Sequence, residues 1–90
     1  MTPHKFVVHV MLKPGVLDVQ GQAVEGVLSR EGFAVESVRV GRRVEVTVSA
    51  QSAPDGRVLV DRMAQSFLAN PVLEQYVIED LPVPEGPYWA

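Results

Sequence analysis

Lys5-Phe6-Val7-Val8-His9-Val10-Met11-Leu12-Lys13-Pro14-Gly15 is the stretch that decides the fold. Phe6, Val8, Val10 and Leu12 alternate with Lys5, Val7, His9, Met11 and Lys13. That is the two-residue period of a strand with one wholly apolar face. Lys13-Pro14-Gly15 ends it, because proline has no N–H for a ladder and glycine permits a sharp turn. The period then changes. Asp18 is suited to N-cap a helix of about 13 residues. Ala23, Val24, Val27 and Leu28 form one apolar stripe along it, and Gly32 suits the C′ position after its last turn. Gly21 and Gly26 lie inside that helix, where each costs about 1 kcal/mol relative to alanine. Tolerated weakness is one reading of Gly26, and close approach of another backbone or chain is the other.

Further along, Val38 and Val40, then Val44, Val46 and Val48, read as a hairpin around Gly41. Opposed residues must share a face, which sets Val40 against Val44 and Val38 against Val46 and leaves Gly41-Arg42-Arg43 as the loop. Ser52 or Asp55 caps a second helix of about 14 residues, with Val58, Leu59, Met63, Ala64, Phe67 and Leu68 on its apolar side. Asn70-Pro71 closes it, since proline disfavours helix in the residue before it. Tyr76 to Leu81 reads as the last strand. Pro82 to Ala90 holds three prolines and is expected to carry no regular structure, with Tyr88 and Trp89 as possible anchors. The order β-α-β-β-α-β predicts an α+β, ferredoxin-like sandwich: a four-stranded antiparallel sheet with two helices on one face. Residues 1–81 form one expected domain and 82–90 a proline-rich tail.

A chain of 90 residues buries roughly 64% of the surface it exposes when unfolded, so its core is thin. With 8 basic and 11 acidic residues the formal charge is −3, which argues against binding nucleic acid through phosphate neutralisation. There is no cysteine, which removes disulfides, thiolate catalysis and cysteine zinc sites. No apolar run approaches the ~20 residues of a membrane span, and Met1 to Phe6 lacks the organisation of a signal peptide. A cytoplasmic location is the default expectation.

The residues that could do chemistry are few. His4 and His9 are separated by roughly 17 Å of extended chain, too far to share a metal within one subunit. Ser29, Ser37, Ser49, Ser52 and Ser66 lack a Gly-x-Ser-x-Gly context. Gly15 and Gly21 do not build a phosphate loop. No catalytic, cofactor-binding or metal-binding residue is expected. Arg39, Arg42 and Arg43 cluster at the predicted hairpin end, as a solvated loop or as a contact for an acidic partner surface or a phosphate. The sheet face away from the helices carries Val7, His9, Met11, Glu45 and Thr47. It is half apolar and is the expected face for association with another copy. These residues describe a binding or assembly module more than an enzyme.

Leu12-Lys13-Pro14-Gly15-Val16-Leu17-Asp18-Val19-Gln20-Gly21 closely resembles the strand-to-helix signature of the PurS family, the small subunits of phosphoribosylformylglycinamidine synthase. Val38-Arg39-Val40-Gly41-Arg42, Glu45 and Leu68-Ala69-Asn70-Pro71-Val72-Leu73-Glu74 continue the resemblance in order, across residues 5–80. Val19 departs from the proline usual in the family, and the tail runs beyond the family's usual end. The resemblance implies a non-catalytic subunit in de novo purine biosynthesis. The whole enzyme converts formylglycinamide ribonucleotide, ATP and glutamine into formylglycinamidine ribonucleotide, ADP, phosphate and glutamate. ATP and magnesium are implied on a large synthetase subunit, and none on this chain. A separate glutaminase subunit releases ammonia, and the small subunit joins the two and supports ammonia transfer. It also implies a dimer or dimer of dimers. The candidate partner interface is Lys13, Pro14, Gly15, Leu17 and Asp18, then Arg39, Gly41, Arg42, Asn70 and Pro71. Two other readings share the element order: an amino-acid-sensing domain of the ACT type, and a small hydrolase of the acylphosphatase type. The second wants an arginine in the loop after strand one and a positioned asparagine, whereas that loop holds lysine, proline and glycine.

Overall fold

The computed structural model describes residues 1–81; the expectations for Pro82 to Ala90 lie outside the described residues. β1 (Thr2–Leu12) is the central strand of an antiparallel sheet, with β2 (Arg42–Ala50) on one side and β3 (Glu74–Leu81) on the other. Val8 stands between Val44 and Ile78 in register, and Phe6 between Val46 and Asp80. The alternation read from the sequence therefore sets the core. Phe6, Val8 and Val10 point to one face and are buried with Val48, Val60, Ala64, Ala69 and Ile78.

α1 (Val19–Arg30) and α2 (Ala53–Met63) are the two helices. Asp18 caps α1, as its spacing predicts. Gly32 ends it with φ of 96°, where the Phe33 N–H bonds the Leu28 carbonyl and the Gly32 N–H that of Ser29. That pair of bonds is the Schellman arrangement, which favours glycine at C′. Of the two candidates for the second cap, Ser52 fills the role, its hydroxyl accepting from the Asp55 N–H at 3.2 Å. Ala64 to Leu68 widens into a π turn, closed by the Ala69 N–H on the Ala64 carbonyl. The widened turn extends the helical run to Leu68, and Asn70-Pro71 follows as the stop.

The α+β class and the ferredoxin-like antiparallel arrangement are those expected, but the hairpin around Gly41 is not formed. Val38 to Val40 is not a strand, and the described sheet has three strands in the order β2-β1-β3. The valine pattern was a fair strand signal. However, two N–H groups that a fourth strand would offer go to side chains of α1 and its cap instead. The Val38 N–H bonds Glu25 Oε1, and the Val40 N–H bonds Asp18 Oδ2. Side-chain acceptors thus outcompete the ladder. With this segment beside it, α1 buries Gly21 and leaves Val24 and Val27 39% and 49% exposed. The close approach anticipated at Gly26 occurs at Gly21, where a Cβ would lie 2.7 Å from the Val38 carbonyl oxygen. At Gly26 the nearest such atom is on the Arg30 guanidinium, at 3.5 Å.

Candidate partner-binding end

One end of the sheet gathers the residues singled out from three separated stretches of sequence. Lys13-Pro14-Gly15-Val16 is a tight turn, its Val16 N–H on the Lys13 carbonyl at 3.1 Å. Proline at the second position and glycine at the third, with φ of 88°, fit a type II turn. The turn leads the chain directly to Asp18. One carboxylate oxygen of Asp18 accepts the Gly21 N–H and the other the Val40 N–H, each at 2.8 Å. A single side chain thereby fixes both the helix start and the returning segment.

The two backbone N–H groups, Val40 first and Gly21 second, hold the Asp18 carboxyl below its usual range. A depressed folded-state value means that the stabilisation is present at neutral pH and is lost as pH falls through that value. Asn offers one side-chain carbonyl oxygen where the carboxylate offers two. Asp18→Asn is therefore expected to melt at a lower temperature than the parent at pH 7. The gap between the two melting temperatures should begin to close only as pH falls below roughly 4, the ordinary carboxylate range, and vanish below the depressed folded-state value. A gap that persists unchanged in acid would show that the carboxylate charge plays no part.

Lys13 and the 70–74 turn lock the same end from the other side. The Lys13 N–H bonds the Leu73 carbonyl at 2.9 Å, and its ammonium donates to the Pro71 carbonyl at 2.7 Å. Asn70 organises that turn, its side-chain oxygen accepting from Val72 N–H and its carbonyl from Glu74 N–H. Glu74 accepts from the Asn70 N–H and from both ends of the Arg42 guanidinium, at 2.6 and 2.9 Å. Arg42 first and the Asn70 N–H second hold the Glu74 carboxyl below its usual range. Arg42 also donates to the Leu68 carbonyl at 2.6 Å, tying the start of β2 to the end of the second helix. Arg39 donates to the Leu12 carbonyl. Gly41 has a steric reason to be glycine, since a Cβ there would meet the Val10 carbonyl and the Met11 side chain.

Lys13, Pro14, Gly15, Leu17, Asp18, Arg39, Gly41, Arg42, Asn70 and Pro71 are thus neighbours at this end. A shallow cavity of about 320 Å³ opens among Leu12, Leu17, Val19, Val40, Arg42 and Glu74. Glu74 organises this end, although it is not among the candidate interface residues read from the sequence. Its signal was the spacing Asn70-Pro71-x-x-Glu74, which returns an acceptor to the N–H of the residue starting the turn.

Val7, His9, Met11, Glu45 and Thr47 share the opposite sheet face, as the register Val7 to Glu45 and Lys5 to Thr47 requires. That face is laced with charge. Glu45 pairs with Lys5 at 2.8 Å and with Arg43 at 3.5 Å, and His9 meets Glu79 at 3.0 Å. Lys5 holds the Glu45 carboxyl below its usual range. Val7 is fully buried within the single chain, while Val77 on β3 is 66% exposed. Among the described residues, no three His, Cys, Asp or Glu side chains are placed to hold a metal ion.

Fold and site together define a small ferredoxin-like α+β domain whose ordered surface is built from turns, caps and ion pairs. The family model for PurS, phosphoribosylformylglycinamidine (FGAM) synthase, matches residues 5–81. The chain belongs to the PurS family. It is 42% identical over 77 residues to the Bacillus subtilis phosphoribosylformylglycinamidine synthase subunit PurS, covering 84% of this chain and 90% of that protein. It is 37% identical over 73 residues to the Synechocystis subunit, covering 80% of this chain and 73% of that protein. A chain of the Thermotoga maritima PurLQS structure superposes with a TM-score of 0.84 at 29% identity, covering 90% of this chain and 100% of that one. The resemblance read from residues 12–21 and the two later blocks thus identifies the family correctly.

Proposed function

We propose that this chain is the non-catalytic small subunit of phosphoribosylformylglycinamidine synthase in purine biosynthesis. In this role it bridges a glutaminase subunit and a large synthetase subunit while ammonia passes between them. The observation that carries the reading is the family match over residues 5–81 joined to the superposition on a chain of a PurLQS assembly. The amino-acid-sensor alternative is not favoured by a match of that extent. The physical need is clear. Ammonia released into neutral water is protonated and stops being a nucleophile, so transfer shielded from solvent preserves it. A domain whose loops are pinned by side chain to backbone bonds, as at Asp18 and Glu74, can hold two larger proteins in one orientation.

The same reading places ATP and magnesium on the large subunit and none on this chain. It assigns the exposed sheet face of His9, Met11, Glu45 and Thr47 around Val7 to contact with another copy, in a dimer or dimer of dimers. It places the complex in the cytoplasm. Among the described residues no helix is long and apolar enough to cross a membrane.

Reconstitution tests it. The two larger subunits are mixed with and without this chain, and product is followed with glutamine or with ammonium chloride as nitrogen source. Glutamine-dependent turnover is expected only with the chain present, while ammonia-dependent turnover barely changes. If neither rate responds while both partners are folded, the bridging role is lost.

A further inference from the structure

Tyr88 and Trp89 are aromatic residues to which the small-subunit reading gives no task. The described residues end at Leu81, and Pro82 to Ala90 follow with three prolines and the only tryptophan of the chain. The strand that leads to this stretch, β3, borders a groove of about 510 Å³. Arg57, Val58, Asp61 and Arg62 of α2 line one side of it, and Tyr76 and Ile78 of β3 line the other. β3 is also an edge of the described sheet, so no further strand of that sheet covers this side.

The chemistry of the groove suits an aromatic ring with a polar handle. Val58 is 60% exposed and offers apolar contact. Arg57 is matched to Asp80 at 2.7 Å, whereas Arg62 has no carboxylate within ion-pair distance among the described residues. Guanidinium groups stack on the face of an indole. The Asp61 carboxylate accepts from the Tyr76 hydroxyl at 2.7 Å and from the Gln65 amide at 2.9 Å. A carboxylate has about four lone-pair sites, which leaves an acceptor for an indole N–H. An aliphatic occupant would use only the Val58 contact.

Chain length and attachment point select the occupant. Tyr76 and Ile78 lie five and three residues before Leu81, roughly 10–17 Å back along the strand. Trp89 lies eight residues beyond Leu81, and a proline-rich stretch of that length spans roughly 25 Å. The indole therefore reaches the groove with chain to spare for the reversal. Because it is tethered to one wall of the groove, its effective concentration there is in the range set by a short linker, about millimolar. An untethered protein must compete against that.

We infer that residues 82–90 fold back over this groove within the same chain. The Trp89 indole rests on Val58 between Arg57 and Arg62, with its N–H directed to Asp61. The contact covers the outer edge of β3, which an edge strand otherwise presents for pairing with another chain.

Trp89 reports on its own surroundings, since its fluorescence has no other tryptophan to contend with. In the full chain its emission is expected to lie to the blue of a synthetic peptide of residues 82–90. Quenching by acrylamide is expected to be several-fold weaker than in the peptide. Val58→Glu puts a second carboxylate where the ring rests, and should move both readings to those of the peptide while the melting temperature stays near that of the parent. A cysteine pair tests the contact directly in a chain that has no cysteine of its own. Val58→Cys with Ala90→Cys is expected to close a disulfide within one chain, read by mass on a non-reducing denaturing gel. Ser49→Cys with Ala90→Cys, which places the first thiol on β2 at the other edge of the sheet, should close several-fold more slowly. Peptide-like quenching of Trp89 in the parent overturns the inference. So do equal closure rates for the two cysteine pairs, or an unchanged spectrum in Val58→Glu. A disulfide formed only between chains assigns the groove to the stretch of a second copy, and shielding of Trp89 only after the larger subunits are added assigns that stretch to them. Either result overturns the fold-back within one chain.

Discussion

Phe6→Ala is expected to cost about 3–5 kcal/mol of folding stability, the range for removing a buried aromatic ring. Phe6 is 1% exposed on the central strand. Its ring lies directly under α2. A Cβ added at Gly56 would stand 3.0 Å from Phe6 Cε2 and 3.2 Å from Cζ, so helix backbone and ring are already in close contact. Loss of the ring leaves a hole between two elements that cannot simply slide together, because β1 is pinned on both edges by β2 and β3. A 90-residue chain has roughly 5–13 kcal/mol in total, so this one change removes a large part of it. Chemical denaturation reads the effect as a lower midpoint. Phe6→Leu is the control, and should cost less than about 1.5 kcal/mol if the volume is what counts. Equal losses for the two variants would contradict the cavity explanation.

Gly41→Ala is expected to cost about 3 kcal/mol, the upper part of the range for overpacking. The new methyl would press on the Val10 carbonyl oxygen and on the Met11 side chain. The thioether can swing away, whereas the carbonyl belongs to the central strand and cannot. The double change Gly41→Ala with Met11→Ala should therefore recover only part of the loss. Gly15→Ala makes a useful contrast. Gly15 has φ of 88° and nothing within 4 Å of a Cβ position, so its cost is conformational and about 1–2 kcal/mol. If relieving Met11 restores Gly41→Ala fully, the backbone clash has been overestimated. An unchanged midpoint for Gly41→Ala itself would mean that the 38–41 segment yields freely.

The particular residues show why some of the molecule was readable in advance and some was not. Strand β1 was legible because Phe6, Val8 and Val10 repeat with period two and nothing competes with that pattern. Asp18 and Gly32 were legible as caps because their chemistry is local: a short carboxylate meets orphan N–H groups, and a missing Cβ permits a left-handed turn. Val38 and Val40 misled for the opposite reason. Their strand propensity is a local signal, but their N–H groups answer to Glu25 and Asp18, 13 and 22 residues away. The residues of the candidate partner-binding end lie in three separate stretches. What joins them are bonds such as Lys13 to Pro71 and Arg42 to Glu74, spanning 58 and 32 residues. Local pattern cannot announce such distances. The family resemblance succeeded where pattern stopped because it compares the stretches in order and needs no knowledge of what links them.

The middle strand of the sheet precedes both of its neighbours in the sequence. During synthesis at about 5–20 residues per second, Phe6, Val7, Val8 and Val10 leave the ribosome seconds before Arg42–Ala50 can pair with them. They wait longer still for Glu74–Leu81. For that interval the chain presents a short, uncharged, strand-forming run with two open edges, the kind of segment that sticks to its own kind. Pro3 and Lys5 stand before it and Lys13 and Pro14 after it. Prolines and lysines in those positions act as gatekeepers against association of nascent chains. Lys13 and Pro14 thus serve the protein before it has folded as well as after.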